Sequence, residues 1–377
     1  MIVTKSKAGP DPSKCDEVID VSEVFFISYL SQSSIVSSHE ASHGSAAIGS
    51  GRSIARQPDP IDRPECPPLT LADMSLLGFG TCNLKEANTS DAVSWAIQSG
   101  YRHIDCAAAY YNEEEVGKGI ADGLAKVGLR REEIWITSKL WNDHHDKVEA
   151  GIDGSLQKLG VGYLDLYHMH WPVAGSGSNS YISYHDTWEA VIKLQESGKA
   201  RHIGVSNFSP DQLTSLLNKT SVPPQVHQME LHPYLPQTSW LNFHKHHNIH
   251  VTAYSPLAGT NPTYKESPPP DPLLKNKVLH KIAKKRDCTP AQVALQWGMS
   301  RGTSVIPKSI HKDYVDENFR SVECVLKKKD LEMIDKLGKY HHRYNNPSKS
   351  WGMPLYKGLE DDDGRHKGAT WFGKKEE

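Results

Sequence analysis

Tyr163–Pro172 reads YLDLYHMHWP. Its first half is apolar and β-prone, and polar residues enter only where one face changes. It then delivers His168, His170, Trp171 and a helix-breaking proline. That is the pattern of a buried parallel strand running into a loop that carries chemistry. Parallel strands are covered on both faces by helices, and the C-terminal strand ends are where such proteins work. The flanking segments decide how many strands share that arrangement.

Upstream, Val148, Ile152, Leu156 and Leu159 form a helical stripe, and EIWITSKLW (133–141) precedes it as a strand. Further back lie the stripe Val116, Ile120, Leu124 and Val127, the strand YRHIDCA (101–107) and a helix around Val93, Ala96 and Ile97. Thr89 or Ser90 is the expected N-cap of that first helix and Gly100 its stop. Residues 69–82 read as two short β segments around a turn, an N-terminal hairpin. Downstream, helix 187–198, strand 200–208, a helix opened by Ser209-Pro210, strand 226–231, a helix near 237–247 and strand 250–259 continue the alternation. A helix at 274–286 and one opened by Thr289-Pro290 precede TSVIPKS (303–309), and ENFRSVECVL (317–326) reads as a short helix running into a last strand. Eight strands counted from Tyr101, with no break in composition, predict one (β/α)8 barrel of the α/β class. The expected division is an extension at 1–65, rich in Ser, Gly, His and Ala after residue 30 and expected to be disordered, a barrel at 66–345, and a tail at 346–377 near the barrel mouth.

Composition narrows the function. The 377 residues carry a formal net charge of -2, so no basic field draws in nucleic acid. No run reaches 18 apolar residues, so no membrane span is expected. Six scattered cysteines without a C-x-x-C pair read as isolated reduced thiols, which places the chain in the cytoplasm. A monomer or weak dimer acting on a small carbonyl or alcohol is the expected assembly and partner.

The strand ends are polar. Asp105, Lys139 and His170 close the first three strands of this count, and neighbouring strands bring them together across 34 and 31 residues of sequence. Tyr110 follows in the first loop. Asp beside Lys keeps the ammonium charged, and an ammonium beside a phenol favours phenolate. Such a tyrosine suits protonation of a carbonyl oxygen as hydride reaches the carbon, help worth about 10²–10⁴-fold in rate.

DCAAAYYNEEEVG (105–117), TSKLW (137–141), LDLYHMHWP (164–172), IGVSNF (203–208), AYSPLAG (253–259) and IPKS followed by ENF (306–309, 317–319) together resemble the successive motifs of the aldo-keto reductase superfamily, in its aldose, xylose and carbonyl reductase-like branch. The match spans roughly 70 to 345. The resemblance implies a catalytic tetrad of Asp105, Tyr110, Lys139 and His170, with Tyr110 as general acid. It implies NADP(H) bound without a Rossmann domain. Tyr254 would stack on the nicotinamide, and Ser206, Asn207 and Gln228 would hold its carboxamide. Ser255 and Leu257 would approach the pyrophosphate, Lys308 and Ser309 the 2′-phosphate, and Glu317 and Asn318 the adenine. GKGIADG (117–123) mimics a dinucleotide fingerprint, but it lies in a helical pattern with the wrong spacing.

Three positions depart from the family pattern. Cys82 stands where many members have Trp, which leaves Trp141 and Trp171 as the expected pocket walls. Tyr314 stands where an arginine for the 2′-phosphate is expected, so use of NAD(H) beside NADP(H) is expected. His168 stands where an aliphatic residue is usual and shares a strand face with His170. Two readings from other classes stand beside this one. His168-x-His170 could serve a metal-dependent hydrolase, although no later strand end supplies a third ligand, and no metal is expected. The same fold could also be a cofactor-binding regulatory subunit, although all four tetrad residues are present. Substrate identity rests on 173–186, 258–272 and the tail, whose residue types do not fix it.

Overall fold

The computed structural model describes residues 69–175, 182–259 and 272–359. The extension at 1–65 and the tail beyond 359 lie outside them, as do parts of both substrate loops. Eight parallel strands form one sheet in sequence order: β1 (Phe79–Gly80), β2 (His103–Asp105), β3 (Trp135–Leu140), β4 (Leu164–Met169), β5 (Ala200–Ser206), β6 (Val226–Glu230), β7 (His250–Tyr254) and β8 (Ser304–Val305). Leu77 bridges Val305 in parallel, and Gly78 N and Gly80 N donate to Val305 O and Pro307 O at 2.9 Å, which closes the ring.

Helices α1 (Glu86–Ser99), α2 (Glu113–Val127), α3 (Val148–Leu159), α4 (Tyr184–Glu196), α5 (Pro210–Lys219), α6 (Thr238–His246), α7 (Lys277–Arg286), α8 (Pro290–Ser300), α9 (Lys312–Phe319) and α10 (Lys328–Asp335) accompany the strands, and a last turn, α11 (Ser348–Trp351), follows. Strands β3, β4 and β6 are buried along their whole length, as two-sided coverage requires. Ser209 caps α5 and Thr289 caps α8, each followed by proline at the first helical position, where its missing N–H costs nothing.

The barrel is the expected one, but its frame is shifted by one strand. The expected N-terminal hairpin is a 3₁₀ turn at Leu71–Asp73 followed by β1. The last strand expected within 317–326 is instead the end of α9 and a 3₁₀ turn, Arg320–Glu323. Both ring-closing strands are only two residues long; β8 lies within the expected strand 303–309 and β1 within the expected hairpin, and strands so short carry no period to show that they close the ring. Helix α1 begins three residues before Thr89, whose Oγ1 bonds back to Lys85 O rather than capping a first turn. Gly100 ends it in the left-handed region, as expected.

The glycines of 117–123 belong to α2 and serve packing. A Cβ on Gly119 would lie 2.5 Å from Ser90 O, so glycine lets α2 approach α1 closely. The thiols also differ from expectation. Cys288 and Cys324 form a disulfide with a Cα–Cα distance of 5.9 Å, while Cys82 and Cys106 are free. The bond joins the α7–α8 turn to the turn after α9, a proximity created by packing and invisible as sequence spacing. Among the described residues no helix is long and apolar enough to cross a membrane.

Candidate active site

The C-terminal strand ends open on a cavity of about 450 Å³. Lys139, wholly buried on β3, places Nζ 2.5 Å from Asp105 Oδ1, 2.9 Å from Cys106 O and 3.2 Å from Tyr110 OH. An ammonium has three donors, and these three partners use them all. Gln228 Nε2 donates to the other Asp105 oxygen at 2.7 Å, so both carboxylate oxygens have fixed partners. Tyr110 ends a 3₁₀ turn directly after β2 and lines the cavity. His170 lies across from it, with ring centroids 5.8 Å apart and edge-on geometry. Burial, then the Lys139 and His168 charges, push the His170 imidazole well below its ordinary range, so it is neutral at physiological pH. A phenol, an ammonium and a neutral imidazole thus converge on one small volume, an arrangement suited to moving a proton to or from a ligand oxygen.

A second network runs from this group along β5–β7. Asn207 Nδ2 donates to His170 O at 3.0 Å and to Ser206 Oγ at 3.0 Å, while its Oδ1 accepts from Tyr254 OH at 2.8 Å. Ser206 Oγ donates to Gln228 O at 2.8 Å. Asn207, Gln228, Tyr254, Ser255, Leu257 and Lys308 line the cavity, as do Cys82, Trp141 and Trp171. Ser206 is not part of this lining but bonds to Asn207 and Gln228 within it. Asn207, Ser255 and Ala258 all hold left-handed backbone at φ 61°, 49° and 60°. Such strain, about 1–3 kcal/mol per residue, gathers at ligand cradles. A cationic Lys308 and an aromatic Tyr254 on the same wall fit a ligand that combines phosphate with a flat ring.

The far rim is not drawn into the cavity in the same way. Ser309 Oγ accepts from His311 N at 3.0 Å. Glu317 accepts Thr289 Oγ1 at 2.7 Å, and its carbonyl accepts Gln292 Nε2 at 2.9 Å. Asn318 is buried and Tyr314 is exposed, its ring edge-on to His311.

His168 separates from His170. It points into the barrel one layer deeper, fully buried, and a Cβ on Gly204 opposite would lie 2.6 Å from its Nδ1. Among the described residues no group of three or more His, Cys, Asp or Glu could hold a metal ion. Cys82 sits beside Tyr110, and burial pushes its thiol upward, away from thiolate. Residues that the sequence did not single out complete the mouth. Asn345, Pro347 and Trp351 arrive from the C-terminal segment, and Tyr111, exposed at φ 55°, stands on the rim. Trp351 packs edge-on against Trp171 at 4.9 Å and Trp141 at 6.3 Å. The aromatic content of the tail was the only available signal for it.

A (β/α)8 barrel with a phenol, a lysine and an imidazole gathered at its mouth is the class of fold these residues define. Residues 76–339 match the model of the Aldo/keto reductase family. The chain is 42% identical to an uncharacterised oxidoreductase of Schizosaccharomyces pombe, over 78% of this chain and 94% of that relative. It is 37% identical to the D/L-glyceraldehyde reductase of Hypocrea jecorina, over 77% and 93%. Among solved structures, a Bombyx mori aldo-keto reductase in complex with NADP superposes with a TM-score of 0.69 at 35% identity, over 74% of this chain and 94% of that one. The chain belongs to the aldo/keto reductase family.

Proposed function

We propose that the chain reduces small aldehydes and ketones with NADPH, or oxidises the corresponding alcohols in reverse, with Tyr110 as the proton donor. The observation that carries this reading is the Lys139 ammonium bonded at once to Asp105 and Tyr110, with His170 across the cavity. The cofactor, when bound, supplies hydride. Tyr110 gives its proton to the carbonyl oxygen. The Lys139 ammonium, 3.2 Å away, stabilises the phenolate left behind, and Asp105 keeps that ammonium in place. Neutral His170 donates a hydrogen bond that orients the carbonyl.

Tyr254 would support the nicotinamide ring, and Ser206, Asn207 and Gln228 would hold its carboxamide. Ser255 and Leu257 would meet the pyrophosphate, Lys308 and Ser309 the 2′-phosphate, and Glu317 and Asn318 the adenine. The NADP-bound Bombyx mori structure supports the choice of cofactor. Tyr314 brings no charge to the 2′-phosphate, so NAD(H) serves as a second, weaker cofactor. Cys82 leaves the cavity wider than an indole would, and the glyceraldehyde reductase relative supports short hydroxylated aldehydes as substrates. A carbonyl panel with NADPH and NADH, each run with and without chelator, tests this. The expected result is chelator-insensitive NADPH oxidation with short aldehydes and slower NADH oxidation. No oxidation with any carbonyl would overturn the proposal.

A further inference from the structure

Glu230 is a wholly buried carboxylate outside the tetrad, at the end of β6. Its partners come mostly from the C-terminal segment. Oε1 accepts from Tyr344 N at 2.8 Å and Oε2 from Asn345 N at 2.8 Å. His232 Nε2 lies 2.9 Å from Oε1. Burial pushes the Glu230 carboxyl up, but His232, the Arg343 guanidinium and the Tyr344 amide outweigh it and hold it below the ordinary carboxylate range. A carboxylate that accepts two successive backbone amides fixes that backbone, because freeing the segment would leave a buried charge unsatisfied.

The segment fixed in this way reaches the site. Asn345 Nδ2 donates to Tyr254 OH at 3.1 Å, and Tyr254 OH donates onward to Asn207 Oδ1, whose amide bonds His170 O. Tyr356 OH donates to Asn345 O at 2.7 Å, which folds the following turn back over the mouth and sets Trp351 against Trp171.

We propose that Glu230 and Asn345 are positioning residues that latch the C-terminal segment over the barrel mouth and, through Tyr254 and Asn207, hold the nicotinamide platform and the Trp351 wall in working register. The latch rests on the reading of the cavity as a reductase site. Its geometry predicts that Asn345 acts through Tyr254 rather than beside it.

A double-mutant cycle tests that coupling, read as kcat/KM for an aldehyde accepted by the wild type. Asn345→Ala and Tyr254→Phe are each expected to cost about tenfold, the size of one well-placed hydrogen bond. Asn345→Ala placed in the Tyr254→Phe background is expected to cost less than about twofold more, because its partner oxygen is already gone. Multiplying losses, about a hundredfold together, would overturn the latch as drawn. Hydrogen exchange supplies a readout independent of turnover. The Tyr344 and Asn345 amides are expected to be protected in the wild type and to exchange at least about tenfold faster in Glu230→Gln, which offers one acceptor in place of two. Equal protection in the two proteins would overturn the anchor. If Glu230→Gln does not fold, the cycle decides alone. If the wild type turns over no carbonyl, the reductase reading fails, while amide protection still reports on the anchor.

Discussion

The corner of the cavity at Tyr110 and the rim that runs outward from Lys308 are built by different means. At the β2–β4 corner, Asp105, Lys139 and His170 are side chains of strands or of the first residue beyond one, and strand register sets their spacing. Every donor of Lys139 is used, and the group lies nearly out of solvent. At the far rim, Lys308, Ser309, Tyr314, Glu317 and Asn318 come from one loop and one short helix, and Glu317 spends its bonds on Thr289 and Gln292. On the proposed reading the corner is a preorganised reaction centre, whereas the rim only meets the cofactor. Changes at the corner should therefore alter chemistry steeply, and changes at the rim should alter affinity gently.

The largest effect should come from breaking the corner. Lys139→Met is expected to lower kcat/KM about a thousandfold, within the range of general acid help. It also leaves Asp105 buried without its cation, a cost of about 3–5 kcal/mol visible in denaturant titration. A loss below about tenfold would erase the contrast between corner and rim.

The rim should respond by cofactor. Lys308→Ala is expected to raise the KM for NADPH about tenfold, the weight of one charge-assisted bond, while the KM for NADH stays within about twofold. Tyr314→Arg should shift preference toward NADPH by only about two- to fivefold, because the position is exposed and screened. Equal effects on both cofactors would mean that neither residue faces a 2′-phosphate.

Reduction of Cys288–Cys324 probes the rim's support. The bond closes a separation of 36 residues, and on chain-entropy grounds its loss costs roughly 3–4 kcal/mol. Tm should fall by several degrees, with turnover at 25 °C within about twofold, because the tetrad draws nothing from these turns.

The smallest expected effect is an absence. His170 is held well below its ordinary range by burial first. A lowered imidazole is neutral above its folded pKa, so it changes no charge between pH 6 and 8. The pH profile of kcat/KM for reduction should show no limb near 6.5 there. A limb at that pH, lost in His170→Gln, would contradict the neutral imidazole.

Legibility in the sequence followed the same division. Asp105, Lys139 and His170 could be grouped in advance because neighbouring strands in sequence are neighbours in the barrel, so strand ends meet whatever the intervening helices do. Alternation places His168 on the strand face of His170, and its deeper layer follows only from its place two residues earlier in the strand. The sequence places β structure in both segments that hold β1 and β8, but two-residue strands carry no period to fix their partners, so 69–82 reads as a hairpin outside the ring, 317–326 reads as holding the last strand, and the frame of the barrel slips. Glu230 and Asn345 were invisible because the Glu230 bonds cross 114 to 115 residues to backbone amides with no residue signature, and the Asn345 side chain reaches Tyr254 across 91 residues. The disulfide joins two turns whose proximity is a product of helix packing. What remained illegible was long-range and loop-borne.

The central claim is that Tyr110 supplies the proton, and one measurement meets it directly. NADPH binding by Tyr110→Phe is followed by fluorescence, and single-turnover NADPH oxidation with a short aldehyde is recorded on the same protein. The account predicts binding within about twofold of wild type and oxidation slowed about 10²–10⁴-fold. Undiminished oxidation with binding intact would contradict it.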